Sequence, residues 1–282
     1  MPEISFPYKF SLKRKTGAEF GRVLRQISVR LGKLRKARPG DDTETVHEIR
    51  TTIKLLRTLL WFAQPALAPT TLAFAKIELK NAARLLAPRR DLTAMQSALK
   101  SLAEEADTPK KREVIHRTGA LLAAHAPKTT PGGLLRQRNE AIALVQKTVR
   151  LLIHAAAAGS SWKSPKKRLK KAWAAADRAQ KAAEDNPTPV HLHEWRKKVK
   201  RLLCLLQLFH PKPKGKKKRA IEKVDDLQHH LGDHHDTVVL HEHLPRHHPA
   251  HAADPAFQPL FALLEARLKR LQKKAEKVAR KV

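Results

Sequence analysis

Four side chains suited to holding anions recur at helical spacing in this 282-residue chain: His47, Arg50, Lys54 and Arg57. A matching set returns later as His193, Arg196 and Lys200, with Lys197 and Arg201 flanking it. Guanidinium forks make paired hydrogen bonds to phosphate oxygens and ammonium groups act as point charges. Histidine adds a donor whose charge responds to pH near neutrality. At ~100° per residue the first set falls within an arc of roughly 80°, in a stripe ~15 Å long. That length suits a chain of phosphates better than one phosphate group. Ile49, Ile53, Leu56 and Leu60 occupy a separate arc of the same helix, the apolar face that a bundle would bury. Trp195, Val199, Leu202 and Leu206 repeat that core face in the second copy.

The elements that must position these residues read as helices throughout. Only 10 glycines occur, and Ala, Leu, Lys and Arg recur in amphipathic stretches, the pattern of high helix propensity with a 3.6-residue period. No convincing strand is found, and the expected fold class is all-α. Clusters of Pro, Gly, Ser and Asp place breaks at 38–41, 64–70, 107–109, 126–133, 158–165, 185–189, 210–215 and 244–259. About eight or nine helical segments remain between them. Val46–Leu56 aligns with Leu192–Leu202 without a gap, and Leu85–Asp91 matches His230–Asp236 more weakly at nearly the same offset. Two matches in register point to an internal repeat, with halves of about 1–150 and 160–282 forming two helical bundles related by an approximate two-fold.

Lysine and arginine number 58 against 26 acidic residues, a formal charge of +32 with a sequence pI near 10.7. A modest net charge suffices for solubility, so the excess points to polyanionic partners. The one cysteine, Cys204, sits in an apolar run and reads as a core residue. The amino terminus lacks a charged segment followed by a long apolar one, and no uncharged run approaches the ~20 residues that span a bilayer. A soluble, intracellular protein with no membrane partner is the expectation.

Nine histidines lie between His229 and His251, and such a cluster could ligate zinc or iron. The run has no cysteine partner and no His-Glu-x-x-His helix, so it reads as a surface cluster and no metal is expected. No Walker-type glycine loop and no Gly-x-Ser-x-Gly occur; no catalytic residue, enzyme activity or cofactor is expected. Double- or single-stranded nucleic acid is the rival polyanion. Eight phenylalanines, four tryptophans and one tyrosine give few platforms for base stacking.

The paired segments His-Glu-Ile-Arg-Thr-Thr-Ile-Lys (47–54) and His-Glu-Trp-Arg-Lys-Lys-Val-Lys (193–200) resemble the two signature helices of the CHAD family, the conserved histidine α-helical domain. The likeness extends to Lys166–Ala172 and to Leu231–Asp236, which is similar to the family's Leu-Gly-x-x-x-Asp turn. It implies a single CHAD domain over 1–282, built of two four-helix bundles with pseudo-two-fold symmetry. It further implies a basic groove or channel that binds inorganic polyphosphate, and association with polyphosphate granules and their proteins in the cytoplasm. The residues it places on the groove are His47, Arg50, Lys54 and Arg57 from the first half and His193, Arg196, Lys197 and Lys200 from the second. Arg84, Arg89, Arg90, Arg168 and Lys171 are added as neighbours. Leu203 stands where symmetry would put a partner for Arg57, and Ala87-Pro88 replaces Gly232-Asp233 in the first half, so the two halves are not expected to contribute equally.

Overall fold

A computed structural model describes residues 8–36, 42–125, 130–159 and 162–281. Among the described residues there are eleven α-helices and no strand. They are α1 (Thr16–Arg35), α2 (Asp42–Ala63), α3 (Pro69–Leu85), α4 (Ala87–Glu105), α5 (Pro109–Ala124) and α6 (Pro131–Ala158). They continue with α7 (Pro165–Asp185), α8 (Pro189–Phe209), α9 (Gly215–His247), α10 (Pro249–Ala253) and α11 (Gln258–Ala279). Single turns of 3-10 helix cover Gln64–Ala66 and Pro255–Phe257.

Prolines start many of these helices, because the first turn needs no N–H donor from them and their fixed φ is already helical. Thr108 and Thr130 cap α5 and α6, their hydroxyls accepting from Lys111 N at 3.4 Å and Gly133 N at 3.1 Å. Gly215 opens α9 at φ 55°, a conformation that a Cβ disfavours. Most expected breaks therefore coincide with helix junctions; the one at 38–41 lies outside the described residues.

Three boundaries differ from the sequence expectation. The expected turn at Leu231–Asp236 lies inside the continuous helix α9. Gly232 costs a helix only about 1 kcal/mol, and buried Leu227, Leu231, His234, Thr237, Leu240 and Leu244 hold the helix straight through it. The expected break at 244–259 starts late: α9 runs past Pro245 to His247, and α10 and a 3-10 turn follow. An unforeseen junction lies at Leu86, where α3 ends and Pro88 falls in the first turn of α4.

The chain divides into two compact units with interleaved boundaries. One comprises Met1–Pro88, Lys128–Trp173 and Cys204–Pro213; the other comprises Arg89–Pro127, Ala174–Leu203 and Lys214–Val282. These boundaries cut across the contiguous repeat halves 1–150 and 160–282, and α7 and α8 contribute residues to both units.

In the first unit α1, α2, α3 and α6 pack together. Helix α6 is long and apolar enough to cross a membrane by length and composition, with an 18-residue stretch inside Gly132–Ala158 at mean hydropathy 1.3. It is not an uncharged run, because Arg136, Arg138, Glu140, Lys147 and Arg150 interrupt it. Its apolar side, with Ile142, Val145, Val149 and Leu152 fully buried, is covered by α1 and α3. Phe10 packs edge-on against Phe62 and Phe209, with ring centres 5.5 and 5.3 Å away. The Glu19 carboxylate is fully buried and satisfied by Ser11 N at 2.7 Å and Arg22 Nε at 2.9 Å. These donors hold it below the usual carboxylate range, with the Arg22 hydrogen bond the largest cause.

In the second unit, Met95, Leu99 and Leu102 of α4 share a core with Val114 and Ile115 of α5, Leu240 and Leu244 of α9, and Leu260 and Leu264 of α11. Buried Arg267 and exposed Arg270 both donate to Glu105 at the edge of this core. His234 lies within the unit, and burial holds its imidazole down at about 4, against an ordinary 6.5. Such a histidine is neutral when folded and takes up a proton once unfolded. Stability is therefore full above pH ~6.5 and falls as the pH drops toward 4, by up to ~3 kcal/mol for this one group. Urea unfolding at pH 7 and pH 5 should show that His234→Leu loses less stability on acidification than the parent. An unchanged pH dependence would mean that the acid sensitivity lies in other groups. His230, His243 and His248, which burial also lowers, act in the same direction.

Candidate functional site

Helix α2 presents the first basic stripe. Ile49, Ile53, Leu56 and Leu60 are at most 2% exposed, so packing fixes the rotation of the helix and thereby where its cations lie. His47 and Arg57 are exposed, and Arg50 and Lys54 are half-buried at the border of the packed face. The acid within the motif is taken away from the stripe: Glu48 receives two hydrogen bonds from Arg30 of α1. Tyr8 lies near that pair, its hydroxyl pushed up to about 12, chiefly by burial. Arg57 Nη2 donates to the carbonyl of Leu79 on α3 at 3.2 Å, tying the end of the stripe to the neighbouring helix.

One turn beyond Arg57, the Trp61 ring carries the guanidinium of Arg168 at 4.0 Å, and Arg168 also donates to the Trp61 carbonyl. Arg168 is 4% exposed. Its charge is held by a ring face and a backbone oxygen, an arrangement that pins α7 to α2. On the same basic run Lys171 is exposed, as is Arg84 in the last turn of α3. Arg89 and Arg90 belong to α4 by backbone, and their side chains lie outside the described residues.

The second stripe is on α8, whose Trp195, Val199 and Leu202 are each 1% exposed. His193, Arg196 and Lys200 are half-buried at the border, as their counterparts Arg50 and Lys54 are. Here the motif's acid stays on its own helix: Glu194 accepts from Lys197 at 2.6 Å and pairs with Lys198 at 3.4 Å. Lys197 foremost, then Lys198, hold the Glu194 carboxyl below its usual range against the opposing effect of burial. Lys197 thus enters as half of an ion pair, whereas Glu48 pairs with Arg30 of α1. Burial lowers the flanking Arg201, with Glu194 acting in the opposite sense.

A residue absent from the sequence-derived set joins this stripe. His235 of α9 brings its Nδ1 to 3.3 Å from Nδ1 of His193, with the rings 4.7 Å apart and tilted by 38°. A hydrogen bond between these nitrogens needs one ring to donate and the other to accept, so it is set by the tautomers of the two rings. Its signal was in the spacing of Leu227, Leu231, His234 and Thr237, which puts His234 inside and turns His235 toward the margin. Among the described residues no group of three or more His, Cys, Asp or Glu side chains is placed to hold a metal ion. Of the late histidines, His243 stacks on His247, and His241 and His251 meet Phe261 and Phe257 edge-on.

Each stripe therefore sets cations along one edge of a helix whose rotation is locked by its core, with the first three positions repeated in type and order.

The sequence matches the model of the CHAD domain over residues 23–245. No curated protein matches the chain. Among solved structures, the crystal structure of the CHAD domain from the plant Ricinus communis superposes with a TM-score of 0.67 at 19% identity, covering 98% of this chain and 96% of that one. At that identity the likeness is one of fold. The family model takes in both stripe-bearing helices and most of the helices around them; by that match, the chain belongs to the CHAD family.

Proposed function

We propose that this protein binds inorganic polyphosphate through the α2 and α8 stripes and catalyses no reaction on it. The observation that carries the reading is the repeated His-x-x-Arg-x-x-x-Lys edge, half-buried at Arg50, Lys54, Arg196 and Lys200 and fixed by a buried core on each helix. A partly desolvated guanidinium holds an anion more strongly than a surface one, because water screens the attraction less. The ~15 Å run of each stripe suits an unbranched chain of phosphates, which needs neither base stacking nor groove recognition. Membership of the CHAD family supports the same ligand through the expectation that the family brings. Residence in the cytoplasm at polyphosphate granules, beside other granule proteins, belongs to the proposal.

A competition titration at physiological salt tests it. Labelled long-chain polyphosphate is displaced with unlabelled polyphosphate, double-stranded DNA or RNA at equal phosphate concentration. Polyphosphate is expected to displace the label at least tenfold more effectively than either nucleic acid. Equal displacement by DNA or RNA would make the stripes a general polyanion or nucleic-acid surface instead.

A further inference from the structure

A second concentration of charge lies on helices other than those that bear the stripes, within the unit that contains α9 and α11. Residues 216–223 at the start of α9 and 269–281 in and after the second half of α11 hold twelve lysines and arginines against two glutamates. The α9 and α11 helices pack against each other, and Lys223 Nζ donates to the carbonyl of Lys281, which joins the two runs. Lys269, Lys273, Lys277 and Arg280 are all exposed. At ~100° per residue they form a row within roughly 80°, and Lys269–Lys281 spans ~18 Å. The acids do little to cancel the row: Glu222 pairs with Lys218 at 3.6 Å, Arg270 is held by Glu105, and Glu276 accepts from Gln272.

We propose that this α9–α11 face is a docking surface for double-stranded nucleic acid, bound through its phosphates without base recognition. The face belongs to the outside of two packed helices. A flexible polyanion laid straight along it would lose chain entropy for contacts that water screens. A duplex, with a persistence length of ~50 nm, is already straight. Over ~18 Å it presents about ten phosphates. A bilayer surface fits less well, since the apolar residues of α11, Leu260, Leu264, Leu271 and Ala275, are buried in the core and the exposed row offers no side chain to enter hydrocarbon. No aromatic residue lies on either basic run, which excludes stacking as a source of sequence preference.

The test uses the full chain with Lys273→Glu, Lys277→Glu and Arg280→Glu combined, and a second variant with glutamine at the same positions. Binding is read by fluorescence anisotropy against a 20-base-pair DNA duplex and against long-chain polyphosphate, and by co-sedimentation with vesicles containing phosphatidylserine. Duplex affinity at physiological salt is expected to fall at least 30-fold in the glutamate variant and less in the glutamine one. The slope of log K against log salt should flatten by about 3, while polyphosphate affinity stays within threefold. The double replacement of Arg50 and Arg196 should leave duplex affinity within threefold. Duplex affinity unmoved by the triple variant would overturn the proposal and leave the face as solvated charge. A parallel fall in polyphosphate binding would overturn it by showing one shared surface. Loss of vesicle binding with duplex binding kept would make the face a membrane contact instead.

Discussion

Replacing Arg50 and Arg196 together by glutamate is expected to weaken polyphosphate binding by ~10²-fold or more while leaving the far-ultraviolet circular dichroism spectrum unchanged. Each arginine sits half-buried one position from a fully packed core residue, Ile49 on α2 and Trp195 on α8. Losing a charge-assisted hydrogen bond costs about 1.5–3 kcal/mol. Two such losses amount to roughly 3–6 kcal/mol, and ~1.4 kcal/mol is tenfold in affinity. The glutamates add repulsion toward the anion. Helicity should survive because the packing of both helices rests on the other face. A folded double variant that still binds at parental affinity would place the ligand elsewhere than on the stripes.

The helical fold class and the border position of the cations were legible because both are local properties. A 3.6-residue period separates Ile49, Ile53, Leu56 and Leu60 from His47, Arg50, Lys54 and Arg57 whatever the rest of the chain does. Proline and glycine marked most junctions for the same reason. Two other features depend on partners distant in sequence, and a third on burial that local spacing alone does not record. Arg168 reads as one more cation in a basic run, and only folding brings it onto Trp61, 107 positions away. His235 reads as part of a histidine cluster, and only the approach of α8 to α9 sets it against His193. Gly232 reads as a turn, yet its helix is carried through by buried neighbours on α9. The interleaved unit boundaries belong to the same class, since no local signal records which helices share a core.

The two copies also diverge in how they handle the acid that follows the motif histidine. On α2 it bonds to Arg30 of a neighbouring helix, and on α8 it bonds to Lys197 and Lys198 of its own. The motif conserves the acid in both copies but assigns it different work: cross-helix fastening in one and neutralisation of local lysines in the other. Equal contributions from the two stripes are therefore not expected, and Lys197 should contribute less to anion binding than Arg196.

Trp195→Ala should act in the opposite way to the arginine pair. Trp195 is 1% exposed and among the largest fully buried side chains of the protein. Truncating such a residue costs about 3–5 kcal/mol, a large share of the ~5–15 kcal/mol by which folded domains are held together. Its urea midpoint should fall sharply, with Trp195→Phe intermediate because a smaller cavity remains. Polyphosphate separates the two kinds of damage. A ligand that binds only the folded state at 100 times its Kd returns about 2.7 kcal/mol, so saturating polyphosphate should restore much of the lost midpoint in Trp195→Ala. The same addition should raise the midpoint of the Arg50→Glu/Arg196→Glu variant far less, because that variant keeps its fold and lacks the grip. If polyphosphate stabilised both variants equally, the half-buried arginines would be structural cations and the binding surface would have to be sought outside α2 and α8.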